Sequence, residues 1–331
     1  MPTKIPAVLS AQIRPLLEHH LPGWLDVRWY TSKDEAFDMA PGAEIGWLDF
    51  LDKATMSAAI TRAADLKWLN SVYAGVDGFP LPALIERGTR VTNGAGINAL
   101  TIAEYVLMGM LTVAKGYREV VLAQARHEWL KESPGKVELL GSRALVVGFG
   151  AIGQLVTERL QAFGVAVTAV RRIVANGVNG ANGATGGSPS DVAVLGPDQW
   201  QARLGEFDWV ILAVPATAQT AQMIGAKELA AMKKTATLIN VARGSVVDQD
   251  ALTLALRNKT IGAAFLDVTE PEPLPPSHEL WTLPNAHISM HLSGRAQTQM
   301  FVRSAERFLQ NLQRYGAGEP LSHQVDLAAG Y

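Results

Sequence analysis

Gly148, Gly150 and Gly153 stand at the spacing G-x-G-x-x-G, directly after the apolar run 144–147 and at the start of a run with helical periodicity. Each glycine has its own physical use in such a turn. Gly148 permits the sharp reversal, Gly150 lets a pyrophosphate approach the backbone, and Gly153 lets the helix pack closely on the strand. The helix N-terminus, with Ala151 and Ile152, then presents N–H groups to phosphate oxygens. The chemistry implied is dinucleotide binding, and the strand–turn–helix context makes it far more specific than three glycines alone. About 20 residues on, where an acidic side chain would bind a ribose 2′-OH, the chain has Arg171 and Arg172. No Asp or Glu occurs between Glu158 and Asp191, and a guanidinium grips a 2′-phosphate in a bidentate fork. These residues point to NADP(H), with NAD(H) as the alternative.

Three later segments carry further candidate groups: Asn240-Val241-Ala242-Arg243-Gly244, Asp267-Val268-Thr269-Glu270-Pro271-Glu272-Pro273, and Leu283-Pro284-Asn285-Ala286-His287-Ile288-Ser289-Met290-His291. Each lies at or after a predicted strand, and ligands of open α/β sheets bind outside the carboxyl ends of strands. Placed there, these segments could converge near a bound nicotinamide. Taken singly, each has a plainer reading: a surface ion pair for Arg243, solvated loop carboxylates for Glu270 and Glu272, a structural role for the histidines. His287 and His291 are four apart and could share a strand face, so the residues themselves leave the choice between them open.

The elements that must position these groups follow from patterning. At about one domain per 150 residues, 331 residues predict two domains. With 48% hydrophobic and 18% charged residues, the chain has ample apolar surface to bury. Strands are expected at 144–147, 165–170, 209–214, 237–241 and 262–266, with helices at 151–163 and 248–257, which makes a parallel sheet with crossover helices. The first hundred residues have strand and helix patterns of their own, at 44–48 and 58–66. The Asn- and Gly-rich stretch 175–190 is expected to be a loop. The apolar segment 97–114 contains Asn98 and Glu104 and falls short of a bilayer span, so a buried helix is expected there and no membrane partner. A net charge of −2, without blocks of like charge, argues against nucleic acid. The absence of cysteine excludes disulfides and thiolate metal ligands, so redox chemistry would need a bound cofactor. Residues 1–12 do not read as a secretory signal, which makes the cytoplasm the expected location.

Taken in order, Ser71-Val72-Tyr73-Ala74-Gly75-Val76-Asp77, Ala103-Glu104, Gly141, the glycine turn, Pro215, and the run from Asn240 to Leu252 with Arg243-Gly244 and Val247-Asp248 resemble the D-2-hydroxyacid dehydrogenase family. That family includes glyoxylate/hydroxypyruvate reductases and phosphoglycerate dehydrogenase. The resemblance covers nearly the whole chain, and Gln324-Val325-Asp326 with the final Gly330-Tyr331 looks like one bacterial group of glyoxylate/hydroxypyruvate reductases. It implies a Rossmann-type doubly wound domain at 97–292 and a smaller flavodoxin-like α/β substrate domain made of 1–96 and 293–331, the latter including a helix near 297–315. It implies Arg243, Glu272 and His291 as the catalytic set, and so selects His291 over His287. In this scheme Arg243 holds the substrate carboxylate and polarises the carbonyl, His291 supplies the proton, and Glu272 fixes the imidazole tautomer. Ala74, Gly75 and Val76 are implied substrate contacts. Val214, Pro215, Val241, Ala242, Arg243, Asp267, His291 and Gly294 join the glycine turn and the two arginines as implied cofactor contacts, and no metal is implied. The family normally has proline before the histidine, whereas this chain has Met290. A homodimer, and NADPH-dependent reduction of a small 2-keto acid to the D-2-hydroxy acid, are the further implications. Two alternatives stand beside them: a non-catalytic dinucleotide sensor resembling corepressors of the same fold, and a 3-phosphoglycerate dehydrogenase, which would need a phosphate-binding basic cluster that the sequence does not identify.

Overall fold

The computed structural model describes residues 4–76, 78–171 and 192–328; Asp77, Arg172, the stretch 175–190 and Gly330-Tyr331 lie outside the described residues. The chain divides into two compact units, one comprising the described residues of Met1–Ile97 and Gln297–Tyr331, the other those of Asn98–Asn179 and Ala184–Ala296.

The first unit carries strands β1 (Ile5–Ser10), β2 (Leu25–Tyr30), β3 (Ile45–Trp47), β4 (Trp68–Asn70) and β5 (Arg90–Thr92). They pair in parallel in the order β2-β1-β3-β4-β5, the flavodoxin-like order. Successive residues feed opposite faces. Ala7 and Leu9 join Ile45, Trp47, Trp68 and Phe308 on one side, whereas Val8 joins Leu69 and Ile60 on the other. A parallel sheet covered on both faces needs apolar runs rather than alternation, which is how these strands read. The helix Met300–Gly316 covers the first face through Phe308 and Leu312. The helix expected over 58–66 runs instead over Lys53–Arg62, because the Asp52 carboxylate caps its start by accepting the Thr55 N–H at 2.8 Å.

The second unit carries β6 (Arg143–Val147), β7 (Ala166–Val170), β8 (Ala193–Leu195), β9 (Trp209–Leu212), β10 (Thr237–Asn240), β11 (Ala263–Leu266) and β12 (Ala286–Ile288). Among the described residues these form one parallel sheet in the order β12-β11-β10-β9-β6-β7-β8. The order reverses between β6 and β9, the switch point at which such sheets bind ligands. Trp209 and Ile211 face one core with the helices Ala99–Lys115 and Ala151–Ala162, while Val210 and Leu212 face the other with Gln249–Arg257. The helix expected at 97–114 is Ala99–Lys115, buried along Ala103, Val106, Met110 and Ala114, and no single helix among the described residues is long and apolar enough to cross a membrane. The molecule thus pairs a Rossmann-type doubly wound sheet with a smaller α/β sheet, as the patterning and the resemblance imply.

Candidate active site

The glycine turn joins β6 to the helix Ala151–Ala162 at the switch point. Gly148 has φ +103°, and a Cβ there would lie 2.4 Å from the Ala213 carbonyl oxygen. A Cβ at Gly153 would sit 2.0 Å from the Gly148 oxygen, so only glycine lets the helix lie this close to the strand. Gly150 differs: it is the N-cap, no side chain caps the helix, and a Cβ there would meet nothing within 4 Å. Two of the three glycines are therefore demanded by packing, while the third faces open space beside an uncapped helix N-terminus. Uncapped N–H groups and the positive end of the helix dipole are what a pyrophosphate needs, so the turn fits a dinucleotide. Pro215 and Val214 follow β9, and Val241 and Ala242 follow β10, at the same edge of the sheet. Arg171 is exposed just beyond β7, and no carboxylate pairs with it among the described residues.

The Arg243 turn is built by its neighbours. Asn240, at the end of β10, accepts the Ala242 N–H at 3.0 Å and donates its side-chain amide to the Arg243 carbonyl at 3.0 Å. A Cβ at Gly244 would lie 2.0 Å from the Thr269 oxygen, so the turn packs directly on the segment that leaves β11. That segment is tied down from a second side by Gln249, which donates to the Glu270 carbonyl at 2.6 Å and accepts the Glu270 N–H at 2.9 Å. Here Glu272 lies with Oε1 on the Thr269 N–H at 3.2 Å and Oε2 on His291 Nδ1 at 2.8 Å. Burial pushes the Glu272 carboxyl up, but the His291 bond and charge, the Thr269 N–H and the Arg243 guanidinium together hold it below the ordinary carboxylate value. With Nδ1 bound to a carboxylate, the Nδ1–H tautomer is favoured and Nε2 is left for exchange with a ligand.

The two candidate histidines have different surroundings. His287 sits within β12, where burial and the nearby Arg118 charge push it down to about 4, and no carboxylate pairs with it among the described residues. His291 lies three residues beyond that strand in a tight turn, with both it and Met290 at φ +55°. Asp267 organises this turn. It is 2% exposed, its carbonyl accepts the His291 N–H at 2.5 Å, and its carboxylate accepts the Ser289 hydroxyl at 2.7 Å, the Leu292 and Ser293 N–H groups at 3.1 and 3.2 Å, and the Ser293 hydroxyl. Both carboxylate oxygens of Asp267 are thus engaged within the protein, where they hold the histidine turn. Local sequence hides this, since the partners lie over twenty residues apart. Gln249 and Asn240 were also beyond reach of pattern reading, because their amides serve backbone groups rather than a ligand.

In the first unit, the loop after β4 leaves the backbone N–H groups of Ala74, Gly75 and Val76 without a hydrogen-bond partner among the described residues. Its carbonyls are occupied: Gly94 donates to the Tyr73 oxygen at 2.8 Å and Asn93 to the Ala74 oxygen at 2.6 Å. Three successive N–H groups left in this way make the loop a candidate nest for an anion such as a carboxylate.

Residues 107–293 match the family described as D-isomer specific 2-hydroxyacid dehydrogenase, NAD binding domain. The human glyoxylate reductase/hydroxypyruvate reductase is 30% identical over 292 residues, covering 84% of this chain and 82% of that one. The D-3-phosphoglycerate dehydrogenase of Methanocaldococcus jannaschii is 31% identical over 263 residues, which is 80% of this chain but only 48% of that protein, so the chain spans about half the length of that relative. Among solved structures, a D-isomer specific 2-hydroxyacid dehydrogenase from Xanthobacter autotrophicus, in complex with NADPH and MES, superposes with a TM-score of 0.76 at 27% identity, covering 99% of this chain and all of that one. The chain belongs to the D-isomer specific 2-hydroxyacid dehydrogenase family, and its second unit carries that family's nicotinamide-dinucleotide-binding domain.

Proposed function

We propose that this dehydrogenase uses NADPH to reduce a small 2-keto acid, of the size of glyoxylate or hydroxypyruvate, to the D-2-hydroxy acid. The observation that carries the reading is the Glu272–His291 pair at 2.8 Å, held next to the Arg243 turn at the carboxyl end of the Rossmann sheet. A nicotinamide dinucleotide bound at the glycine turn supplies the hydride. As the carbonyl is reduced, negative charge develops on its oxygen, and Arg243 is a permanent planar cation suited to stabilise it. His291 delivers the proton from Nε2, while Glu272 keeps the ring oriented through Nδ1. The N–H groups of Ala74, Gly75 and Val76 receive the substrate carboxylate.

Preference for NADPH is supported by the exposed Arg171 beyond β7, where an NAD-specific site would have a carboxylate, and by the NADPH bound to the Xanthobacter relative. Assembly as a homodimer belongs to the same reading. The test is a turnover panel: glyoxylate, hydroxypyruvate, longer 2-keto acids and phosphohydroxypyruvate, each with NADPH and NADH. The expected result is turnover of the short acids with kcat/KM at least about tenfold higher for NADPH, a difference of about 1.4 kcal/mol that Arg171→Ala removes in part. Turnover of none of them sinks the reductase reading in favour of dinucleotide sensing, and turnover confined to the phosphorylated acid makes it a phosphoglycerate dehydrogenase.

A further inference from the structure

We infer that Asp49 is the positioning residue for the substrate carboxylate's nest: it anchors the loop whose Ala74, Gly75 and Val76 N–H groups face no partner, and through it sets the KM for the keto acid. This rests on the proposed role of that nest. Asp49 lies two residues beyond β3, in a segment to which the proposed mechanism gives no task. Its carboxylate gathers three donors from two strand ends: Trp47 Nε1 at 2.7 Å, the Ser71 hydroxyl at 2.6 Å and the Val72 N–H at 2.7 Å. Ser71 passes the constraint one residue further, its hydroxyl oxygen accepting the Tyr73 N–H at 3.1 Å.

The loop is thus clamped on both sides. Asp49 holds its start through N–H and hydroxyl donors, while Asn93 and Gly94 hold the Tyr73 and Ala74 carbonyls. Gly94 is so close to the loop that a Cβ there would lie 1.9 Å from the Val72 oxygen. The Ala74, Gly75 and Val76 N–H groups follow these clamps unused, and beyond them the Val76 carbonyl accepts the Phe79 N–H at 2.9 Å. A short loop held before and after its free donors keeps them in one arrangement, which lowers the ordering that an anion must impose on binding.

Burial pushes the Asp49 carboxyl up to about 6 against the pull of its three donors. The Tyr30 phenol is the ionisable group that feels the Asp49 charge.

The test compares full-length wild type, Asp49→Ala and Asp49→Asn by steady-state kinetics with NADPH and glyoxylate, and by hydrogen–deuterium exchange of the amides of Val72 and Tyr73. Asp49→Ala is expected to raise KM for glyoxylate about tenfold or more, as loss of buried hydrogen bonds of this strength predicts, with kcat and KM for NADPH within about twofold, and to speed exchange at those amides. Asp49→Asn keeps an oxygen for the Val72 and Trp47 donors, and is expected to restore KM to within about threefold of wild type. An unchanged KM in Asp49→Ala, or a parallel loss in kcat and both KM values with no rescue by Asn, overturns the inference. Should Asp49→Ala fail to fold, Ser71→Ala removes one of the three links and is expected to raise the same KM alone; no change there also overturns it. If wild type turns over no 2-keto acid, the exchange data decide by themselves. Fast exchange in Asp49→Ala, rescued by Asn, leaves the anchoring intact and the functional reading failed; unaltered exchange refutes the anchoring.

Discussion

His291 gives Nδ1 to Glu272 at 2.8 Å, and in the proposed mechanism Nε2 delivers the proton, so the two functions separate under mutation. His291→Ala is expected to reduce kcat by at least about 10²-fold, the usual contribution of a positioned acid, while NADPH affinity measured by fluorescence titration stays within about twofold. Full kcat in that variant would remove His291 from proton delivery. Glu272→Gln keeps the shape of the side chain but loses the charge, so it should lower kcat for glyoxylate about tenfold or more with little change in KM for NADPH. Its effect on stability has a definite sign. Glu272 lies below 4.5 in the folded protein, so the stability it contributes is complete above that pH and is lost as pH falls through the depressed value. Its side chain and that of His291 are 38% and 39% exposed, so solvent screening limits this contribution to about 1 kcal/mol or less. Wild type and Glu272→Gln should therefore differ little in chemical denaturation at pH 7, and still less at pH 4. A large stability loss at pH 7 would make Glu272 a structural residue first.

At the scale of elements, two turns carry the site, and each makes a prediction that a generic loop would not. In the glycine turn, Gly153→Ala drives a Cβ into the Gly148 carbonyl at 2.0 Å and should destabilise the unit, whereas Gly150 faces open space. Gly150→Val is expected to leave the thermal midpoint nearly unchanged while raising the NADPH dissociation constant about tenfold or more, because its side chain occupies the phosphate's approach. Equal loss of stability in both variants would mean that Gly150 is there for packing after all. In the histidine turn, Met290 at φ +55° stands where the family normally has proline, and a proline ring holds φ near about −65°. Met290→Pro should therefore lower kcat about tenfold or more. Met290→Gly, free to adopt positive φ, should retain activity and be neutral or more stable by about 1 kcal/mol. Full activity in the proline variant would show that the left-handed turn is not the working conformation. These contrasts also mark how far the sequence could be read. The glycine turn was legible because phosphate binding, a tight reversal and close packing all act within six residues. The Glu272–His291 pair was legible only through resemblance, since no local period reveals that two loops leaving adjacent strands will meet. The residues alone left His287 and His291 open, and the features that set the two apart in the fold are burial and the Arg118 charge on His287, which comes from a helix well over a hundred residues earlier. Strands β4, β5, β8 and β12 are three residues each, too short for a period of two to stand out.

At the scale of the whole molecule, the surface of the second unit raises a question that the site does not answer. Most large apolar side chains in a monomer scatter singly, whereas a concentrated set marks an interaction surface. Here Met108, Tyr117, Val121, Leu122, Trp129, Val137 and Leu140 are all exposed within one stretch of chain, and Trp129 is 94% exposed. Tyr117, Val121 and Leu122 lie on the single helix Tyr117–Ala125, and Tyr117 and Val121 are one turn apart on the same face. Leaving such groups in water forgoes about 25 cal/mol for each Å² of apolar area. Burial against a second copy of the chain would recover that energy and would agree with the homodimer proposed above. Light scattering should therefore give twice the chain mass at micromolar concentration. Val121→Asp together with Trp129→Glu, placing charges among these exposed side chains, should shift the protein to the monomer while leaving NADPH affinity within about twofold, since neither residue belongs to the glycine turn or the histidine turn. A wild-type monomer would contradict the dimer outright. A dimer insensitive to both charges would place its interface on another surface and leave Trp129 without an explanation in assembly.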